Sequence, residues 1–280
     1  MDKPYADLHV HSYFSDSSMS PEEAVESAVS NGVGALAIAD HDVLDGNIAS
    51  RDLCEANSIH YIPAVEIDTL YKGENFHILA YGFDIRSAAF KDYVNHTRFL
   101  LDEASVKLVE LMNADYSEIS LKDYFEYTGD RRLGGWKALQ YFVEKGIAFS
   151  LKEGIKFYTE YGVTYDKSGY STISSAVYRI KSAGGYSVLA HPGELIETAD
   201  TGYFKSELEQ IVKMGIDGVE CYYPSHPEEI TKVCLKTCEE HNLLITAGSD
   251  CHGTFGKTRV GEMNILTESL KLGSLNINKY

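Results

Sequence analysis

Residues 6–18 read ADLHVHSYFSDSS, a stretch that begins like a buried β-strand and then brings two histidines and an aspartate close together. His9 and His11 are two residues apart, so on a strand both side chains point to the same face and can bind one ion with neighbouring nitrogens. Asp16 follows in the loop after the strand. The stretch therefore predicts a buried strand that ends at a metal site.

The alternation of strand-like and helix-like segments indicates the fold class. Seven apolar runs end in polar clusters and precede helical patterns: ADLHVH, ALAIADHD, HYIPAVEI, FHILAYG, YSVLAHPG, DGVECYY and LLITAGSDCH. This alternation is typical of a parallel α/β sheet. After the first run, Ser20-Pro21-Glu22-Glu23 forms a capping box with proline at the first helical position, which predicts a helix that Gly32 closes.

Residues 88–171 interrupt this rhythm, because they are helical in pattern, rich in tyrosine and lysine, and without a buried strand. We predict that they form a helical insertion, acting as a lid or specificity element, and that residues 1–87 and 172–280 form the catalytic unit. Two ordinary crossover helices with long loops are the alternative.

Composition bounds the class of protein and its partners. The 280 residues are 44% hydrophobic and 24% charged, as in soluble globular proteins, and no apolar run reaches the roughly 18 residues of a membrane span. The N terminus has no secretion signal pattern, so we predict no membrane partner and a cytoplasmic location. The net charge of −17 disfavours long nucleic acids, whereas a small anionic substrate remains compatible with a metal site.

Histidines and carboxylates recur at the ends of the predicted strands. In an α/β barrel these ends meet at one face, so the side chains should converge. Imidazole and carboxylate without thiolate suit zinc, manganese or iron(II), and paired ions about 3.5 to 4 Å apart suit phosphate ester hydrolysis. Besides His9, His11 and Asp16, the candidate residues are Asp40, His41, Asp42, Glu66, His77, His191, Asp250 and His252.

With these residues identified, the chain resembles the PHP family, named for polymerase and histidinol phosphatase. The motifs DLHVHSYFSD, AIADHD, PAVEI, HILAYG, AGGYSVLAHPG and AGSDCH occur in family order. The resemblance implies a distorted (β/α)7 barrel with two or three divalent metal ions and metal-dependent phosphoesterase chemistry. By position, it implies a first ion on His9, His11, Glu66 and Asp250, a second on Glu66, His77 and His191, and a third on Asp16, His41 and His252.

Two further residues are candidate catalytic groups. Asp40 precedes a ligand position and could orient His41 or a neighbour, with a turn or cap aspartate as the alternative. We interpret Asp42 as a cap. His226 resembles a position near the mouth of the site, where it could protonate a leaving group, or it could simply start a helix before Pro227.

Within the PHP family the chain resembles the small stand-alone phosphoesterases with a helical insertion, but it departs from their pattern at two positions that could bind phosphate. Many relatives carry GRPH in the insertion and an arginine after HPG, whereas this chain has Gly135 and Glu194 at those points. A guanidinium can give phosphate two hydrogen bonds, whereas a lysine offers it only a point charge. The remaining candidates for substrate binding are Arg132, Lys137 and Trp136, the last of which could stack on a ring or lie in a core.

These features predict hydrolysis of a phosphate ester of a small molecule or nucleotide by metal-activated water. A metal-dependent amidohydrolase is the second possibility, although it does not need the third ligand group. A module that binds nucleotides or RNA ends, or an exonuclease, is the third. The acidic charge disfavours long RNA as the partner.

Overall fold

The computed structural model describes residues 4–275 and shows a mixed α/β fold with two sheets. The first sheet is parallel and has the order β1-β2-β3, with β1 at Tyr5–Val10, β2 at Val33–Ile38 and β3 at His60–Tyr61. The second has the order β4 to β8, with β4 at Ala64–Tyr71, β5 at Glu74–Tyr81, β6 at Tyr186–Leu189, β7 at Gly218–Tyr222 and β8 at Leu244–Ala247.

The α-helices lie between and around these strands. They are α1 (Pro21–Ser30), α2 (Asp45–Ala56), α3 (Ala88–Met112), α4 (Leu121–Glu126), α5 (Lys137–Glu144), α6 (Leu151–Glu160), α7 (Ile173–Ser182), α8 (Pro192–Leu195), α9 (Thr201–Val212) and α10 (Glu228–Glu240). Across residues 4–275, no helix has both the length and the apolar character needed to cross a membrane.

The capping box predicted before the first helix is confirmed. The Ser20 hydroxyl accepts a hydrogen bond from the Glu23 amide at 3.2 Å, and the Glu23 carboxylate accepts one from the Ser20 amide at 2.8 Å. Two amides that the helix start leaves without partners are thereby satisfied. Gly32 follows the helix with φ of +72°, a conformation that glycine adopts without steric cost.

The prediction of a parallel sheet is wrong for β5, which runs antiparallel to both β4 and β6. The reason lies in the connection, because β4 and β5 are joined only by Lys72 and Gly73, with φ of +53° and +92°. Two residues at positive φ make a tight hairpin, whereas parallel neighbours need a crossover of a dozen or more residues. The hairpin places Asp68 directly opposite His77.

The edges of the two sheets meet at the ends of their strands. Parallel bridges join Val10 to Cys251, next to predicted ligand positions, and His41 to Glu66, which are predicted ligands themselves. The predicted α/β class is confirmed, and the eight strands of residues 4–275 form a three-stranded and a five-stranded sheet. The bridges bring the carboxyl ends of β1 and β2 beside β4 and the segment after β8.

The segment 88–171 is helical and has an apolar cluster of its own. The first turns of α3 pack Phe90 and Val94 into the core beside the five-stranded sheet, whereas its last turns contribute Leu108 and Met112 to a second cluster with Phe142. That second cluster also contains Val109, Ile119, Tyr124, Ala138, Tyr141, Ala148 and Phe157. The long helix therefore connects two hydrophobic cores.

We expect Phe142→Ala to lower the free energy of unfolding by about 3 to 5 kcal/mol, since the fully buried ring would leave a cavity in the second cluster. Phe149→Ala is the matched control, because that ring is 96% exposed. Chemical denaturation of both variants checks the difference, and equal stability would contradict the packing described for the insertion.

Candidate metal centre

Four ligand atoms converge where β1 ends. The Nε2 atoms of His9 and His11 lie 3.1 Å apart, and Glu66 Oε2 is 3.1 Å from the first and 3.2 Å from the second. Asp250 Oδ1 is 3.4 Å from His9 Nε2 and 3.0 Å from His11 Nε2. The strand alternation that places both imidazoles on one face thus directs them at two carboxylates that come from β4 and from the loop after β8.

The other oxygen of Glu66 faces a second group. Glu66 Oε1 lies 3.0 Å from His77 Nδ1 and 3.0 Å from His191 Nε2, and these two nitrogens are 3.3 Å apart. His41 Nε2 also approaches the carboxylate, at 3.3 Å from Oε2. The two oxygens of one buried side chain are therefore shared among five imidazoles.

Asp16 is the centre of a third group. Its Oδ1 lies 3.3 Å from His252 Nε2 and 3.6 Å from His11 Nδ1. Candidate ligand atoms of these residues and His41 all lie within 4.8 Å of one another. The structure thus brings all nine of the predicted ligand positions to one face.

The backbone at the site is unusual at three positions. Asp42, His191 and Asp250 have φ of +51°, +24° and +50°, a region that residues with a Cβ rarely occupy. Such conformations cluster at functional sites, where the surrounding structure has to maintain them. His191 and Asp250 turn sharply after β6 and β8, and both side chains face the cluster.

Burial favours the uncharged form of a carboxylate, but at Glu66 and Asp16 the nearby imidazoles reverse this effect on the pKa. The nearby His9, His41 and His77 hold the pKa of Glu66 well below its usual range despite burial. Burial alone would lower the pKa of His252, yet the charges of Asp16 and Asp250 raise it to about 9. Glu66 is therefore held in its anionic form, and His252 is more basic than a free imidazole.

The donor set fits divalent ions. Buried polar atoms at the cluster without a hydrogen-bond partner include His41 Nδ1, Asp68 Oδ1, His191 Nδ1 and Asp250 Oδ1. Cys251 is the neighbouring thiol, and its Sγ donates to the Thr258 carbonyl instead of facing the site. Imidazole and carboxylate donors suit manganese, zinc or iron(II).

Glu220, which was not among the predicted site residues, lies on β7 behind the first group. Its Oε1 is 3.1 Å from His9 Nδ1, and its Oε2 accepts the His191 amide at 2.9 Å. The bond fixes the tautomer of His9, with the proton on Nδ1 and the lone pair of Nε2 directed into the cluster. The available signal was a carboxylate in the middle of the strand-like run DGVECYY.

Asp68 was also missed, although it is two residues after Glu66 on the same face of β4. Its Oδ1 lies 3.3 Å from His77 Nε2 and 3.6 Å from His41 Nδ1. Asp42, interpreted as a cap, is buried and accepts the Asp68 amide at 3.3 Å, so it does not cap α2. The two-residue spacing that identified His9 and His11 could have identified Asp68.

Asp40 binds the loop that follows β1 rather than His41. Its Oδ1 accepts the Ser12 amide and the Ser15 hydroxyl, both at 2.7 Å, and its Oδ2 accepts the Ser12 hydroxyl at 2.7 Å. Ser15 Oγ lies 3.5 Å from His11 Nδ1. Asp40 therefore acts on a neighbouring ligand position through a serine, and it does not contact the cluster itself.

The arrangement of His226 does not suit a proton donor to substrate. Its Nδ1 lies 3.2 Å from the Cys221 carbonyl, and its Nε2 accepts the Gly193 amide at 3.0 Å. Both ring nitrogens are thus bonded to the backbone, and burial lowers the pKa of the ring. The expectation of a catalytic role is corrected accordingly.

The two expected substrate cations point elsewhere. Arg132 donates to both oxygens of Glu23, at 2.6 and 2.7 Å, and Lys137 Nζ lies 4.5 Å from the centre of the Tyr124 ring. The third candidate, Trp136, does line the cavity at the cluster. Arg132 and Lys137 are therefore held by contacts of their own, contrary to the expectation that they bind substrate.

The two positions where relatives have arginine have other partners here. The Gly135 amide donates to the Asp16 carbonyl at 2.7 Å, so the segment 88–171 contacts the loop of the third ligand group. Glu194 accepts from the Ser225 hydroxyl at 2.9 Å. The Tyr223 hydroxyl, 3.3 Å from Glu194, donates to Asp250 at 2.8 Å.

Comparison with known proteins agrees with this site. The family model of the PHP domain matches residues 7–154. The chain belongs to the PHP domain family. It is 28% identical over 263 residues to a phosphoribosyl 1,2-cyclic phosphate 1,2-diphosphodiesterase of Eggerthella lenta, covering 90% of this chain and 95% of the relative.

Two further similarities span most of this PHP domain protein. A 5'-3' exoribonuclease of Haemophilus influenzae is 26% identical over 283 residues, with 96% of this chain and 97% of the relative covered. A solved structure from Bifidobacterium adolescentis, provisionally described as a metal-dependent phosphoesterase, has a TM-score of 0.74 and 25% identity, covering 91% and 90% of the two chains. The PHP fold thus extends beyond residue 154.

We expect Glu220→Gln to weaken metal binding by about 10- to 100-fold, because the amide cannot hold His9 in the same tautomer as firmly. Competition with a chromogenic chelator measures the affinity, and thermal unfolding shows whether the variant is folded. Glu239→Gln, on the exposed side of α10, is the control. Unchanged affinity in folded Glu220→Gln would contradict the role of Glu220.

Proposed function

We propose that this protein is a metal-dependent phosphoesterase that hydrolyses a phosphate ester of a small molecule or nucleotide. The observation that carries the proposal is the Glu66 carboxylate, whose two oxygens face separate imidazole groups at 3.0 to 3.3 Å. A carboxylate with two such sides suits a pair of ions. When bound, divalent ions lower the pKa of water and neutralise charge on phosphoryl oxygens.

The ligand sets follow the three groups. His9, His11, Glu66 and Asp250 would hold one ion, and Glu66, His77 and His191 a second. Asp16, His41 and His252 would hold a third. His41 also lies close to Glu66 and His77, so the second and third groups adjoin each other. Manganese, zinc and iron(II) all suit these donors.

The remaining residues of the site orient these ligands. Glu220 fixes His9, Asp68 lies behind His77 and His41, and the Tyr223 hydroxyl restrains Asp250. The hydrogen bonds of Glu220 and Tyr223 hold the side chains of His9 and Asp250 in place before an ion binds. Asp40 has a comparable role for the loop of residues 12–16.

We also propose that the two sheets are the halves of a distorted barrel and that residues 88–171 act as a lid. The bridges Val10–Cys251 and His41–Glu66 support the barrel, since each joins one sheet to an edge of the other. A cavity of about 190 Å³ at the cluster supports the lid. Its lining combines ligand positions with Arg98, Leu101, Trp136 and Tyr165 of the insertion.

Arg98 is the cation placed to bind a phosphoryl group. Among the residues lining the cluster cavity it alone is a lysine or arginine, and its Nε lies 3.4 Å from Asp102 within α3. A guanidinium gives phosphate two parallel hydrogen bonds. Arg98 would thus provide, from α3, the phosphate-binding guanidinium that the family resemblance implies at the positions of Gly135 and Glu194.

A small ester suits the site better than long RNA or an amide. The net charge of −17 repels extended polynucleotides, although the similarity to an exoribonuclease keeps RNA ends within the class of substrates. A two-metal amidohydrolase would leave Asp16, His41 and His252 without a function.

The proposal predicts chelator-sensitive phosphate release by manganese-loaded protein from a panel of nucleoside monophosphates, bisphosphates and sugar phosphates. Glu66→Ala should lose this activity together with bound metal, because both sides of the cluster depend on that carboxylate. Phosphate assay and elemental analysis check the two losses. Full activity and full metal content in Glu66→Ala would contradict the proposal.

Arg98→Met should lower kcat/KM by about 10- to 100-fold, the loss expected for a charge-assisted hydrogen bond, with metal content unchanged. Arg98→Lys should retain part of the activity, since it keeps a point charge. The control is Arg86→Met, whose side chain is 88% exposed and paired with Asp84. If kcat/KM of Arg98→Met equals that of the unchanged protein, Arg98 does not bind the phosphoryl group.

A further inference from the structure

A second, larger cavity opens directly beside the cluster cavity. Its volume is about 540 Å³, and it lies between the β4–β5 hairpin turn, α3 and the segment from Ile155 to Tyr170. Asn75, Leu101, Trp136 and Tyr165 line both cavities. A molecule with its phosphoryl group at the cluster could therefore place the rest of its structure in the larger cavity.

Four aromatic side chains line the larger cavity. Trp136, Tyr158, Tyr165 and Tyr170 contribute rings, with Leu101 and Ile155 as aliphatic neighbours. The Trp136 indole is held in place, because its Nε1 donates to the Tyr158 hydroxyl at 2.8 Å and that hydroxyl is 2.7 Å from Ser105 Oγ. Fixed aromatic side chains suit a planar apolar group that packs against them.

The charged groups lining the larger cavity are acidic. Glu74 and Asp166 lie at its exposed rim, and no lysine or arginine appears among the described residues that line it. Nearby cations are engaged elsewhere: Lys72 binds Glu207 at 2.6 Å, and Lys167 donates to the Gly162 carbonyl at 3.2 Å. A second phosphate placed here would meet carboxylates without a compensating cation.

We propose that the larger cavity binds the uncharged, ring-bearing part of a phosphate monoester of about nucleoside size, and that its rim selects against a second phosphate. This inference rests on the proposed function for the phosphoryl end only. Trp136 and Tyr158 would pack against the ring of the substrate. Glu74 and Asp166 would repel a second phosphate. The preferred substrate is then a monophosphate rather than a bisphosphate.

Trp136 is the single tryptophan of the chain, so its fluorescence reports directly on the cavity. Titration with adenosine, an uncharged ring-bearing probe without phosphate, should quench or shift the emission saturably, whereas ribose should not. This readout needs neither metal nor turnover. Absence of a saturable response to adenosine, or an equal response to ribose, would overturn the inference.

The selection by charge is tested with Glu74→Lys on metal-loaded protein. The ratio of kcat/KM for adenosine 5'-monophosphate to that for adenosine 3',5'-bisphosphate should exceed one in the unchanged protein. It should fall by roughly 3- to 10-fold in the variant, because a rim cation attracts the second phosphate. Glu239→Lys makes the same change of net charge on exposed α10 and should leave the ratio unaltered.

The outcomes separate this inference from the proposed function. Saturable adenosine binding without hydrolysis of any ester would sink the phosphoesterase proposal and support the ring site. Chelator-sensitive hydrolysis of glycerol phosphate as efficient as that of the nucleotide would support the phosphoesterase and overturn the ring site. A ratio unchanged by Glu74→Lys, or changed equally by Glu239→Lys, would overturn the role of the rim.

Discussion

The Glu66 carboxylate is the interaction on which the site depends. It is fully buried, and a buried charge is tolerated only when it is paired. Each of its oxygens faces imidazole nitrogens at 3.0 to 3.3 Å, so His9, His11 and His41 meet it on one side and His77 and His191 on the other. Elements distant in the chain converge on this one side chain.

The hairpin of β4 and β5 makes that convergence possible. It pairs Glu66 with Leu79 and Asp68 with His77, so the two strands of one hairpin place two carboxylates and an imidazole at the site. The bridge from His41 to Glu66 then joins the three-stranded sheet to this hairpin. The segment 88–171 also contacts the site, since the Gly135 amide donates to the Asp16 carbonyl and Trp136 lines the cluster cavity.

Much of the site could be predicted from local spacing. His9 and His11 share a face because side chains alternate along a strand, and strand ends collect polar side chains in α/β folds.

Spacing could not show the partners of the surface cations, because the contacts of Arg132 with Glu23 and of Lys137 with the Tyr124 ring depend on tertiary packing. Glu220 was overlooked inside the strand-like run DGVECYY, and Asp68 because β4 continues to Tyr71, past the run HYIPAVEI that ends at Ile67. The antiparallel direction of β5 followed from the two-residue connection, which sequence analysis had not used.

Anomalous diffraction from crystals of the manganese-loaded protein tests the central claim most directly. We expect one peak between Glu66, His9, His11 and Asp250 and another between Glu66, His77 and His191, on opposite sides of the same carboxylate. Peaks only at sites away from Glu66, or none at full metal loading, would contradict the proposal that Glu66 joins two ions.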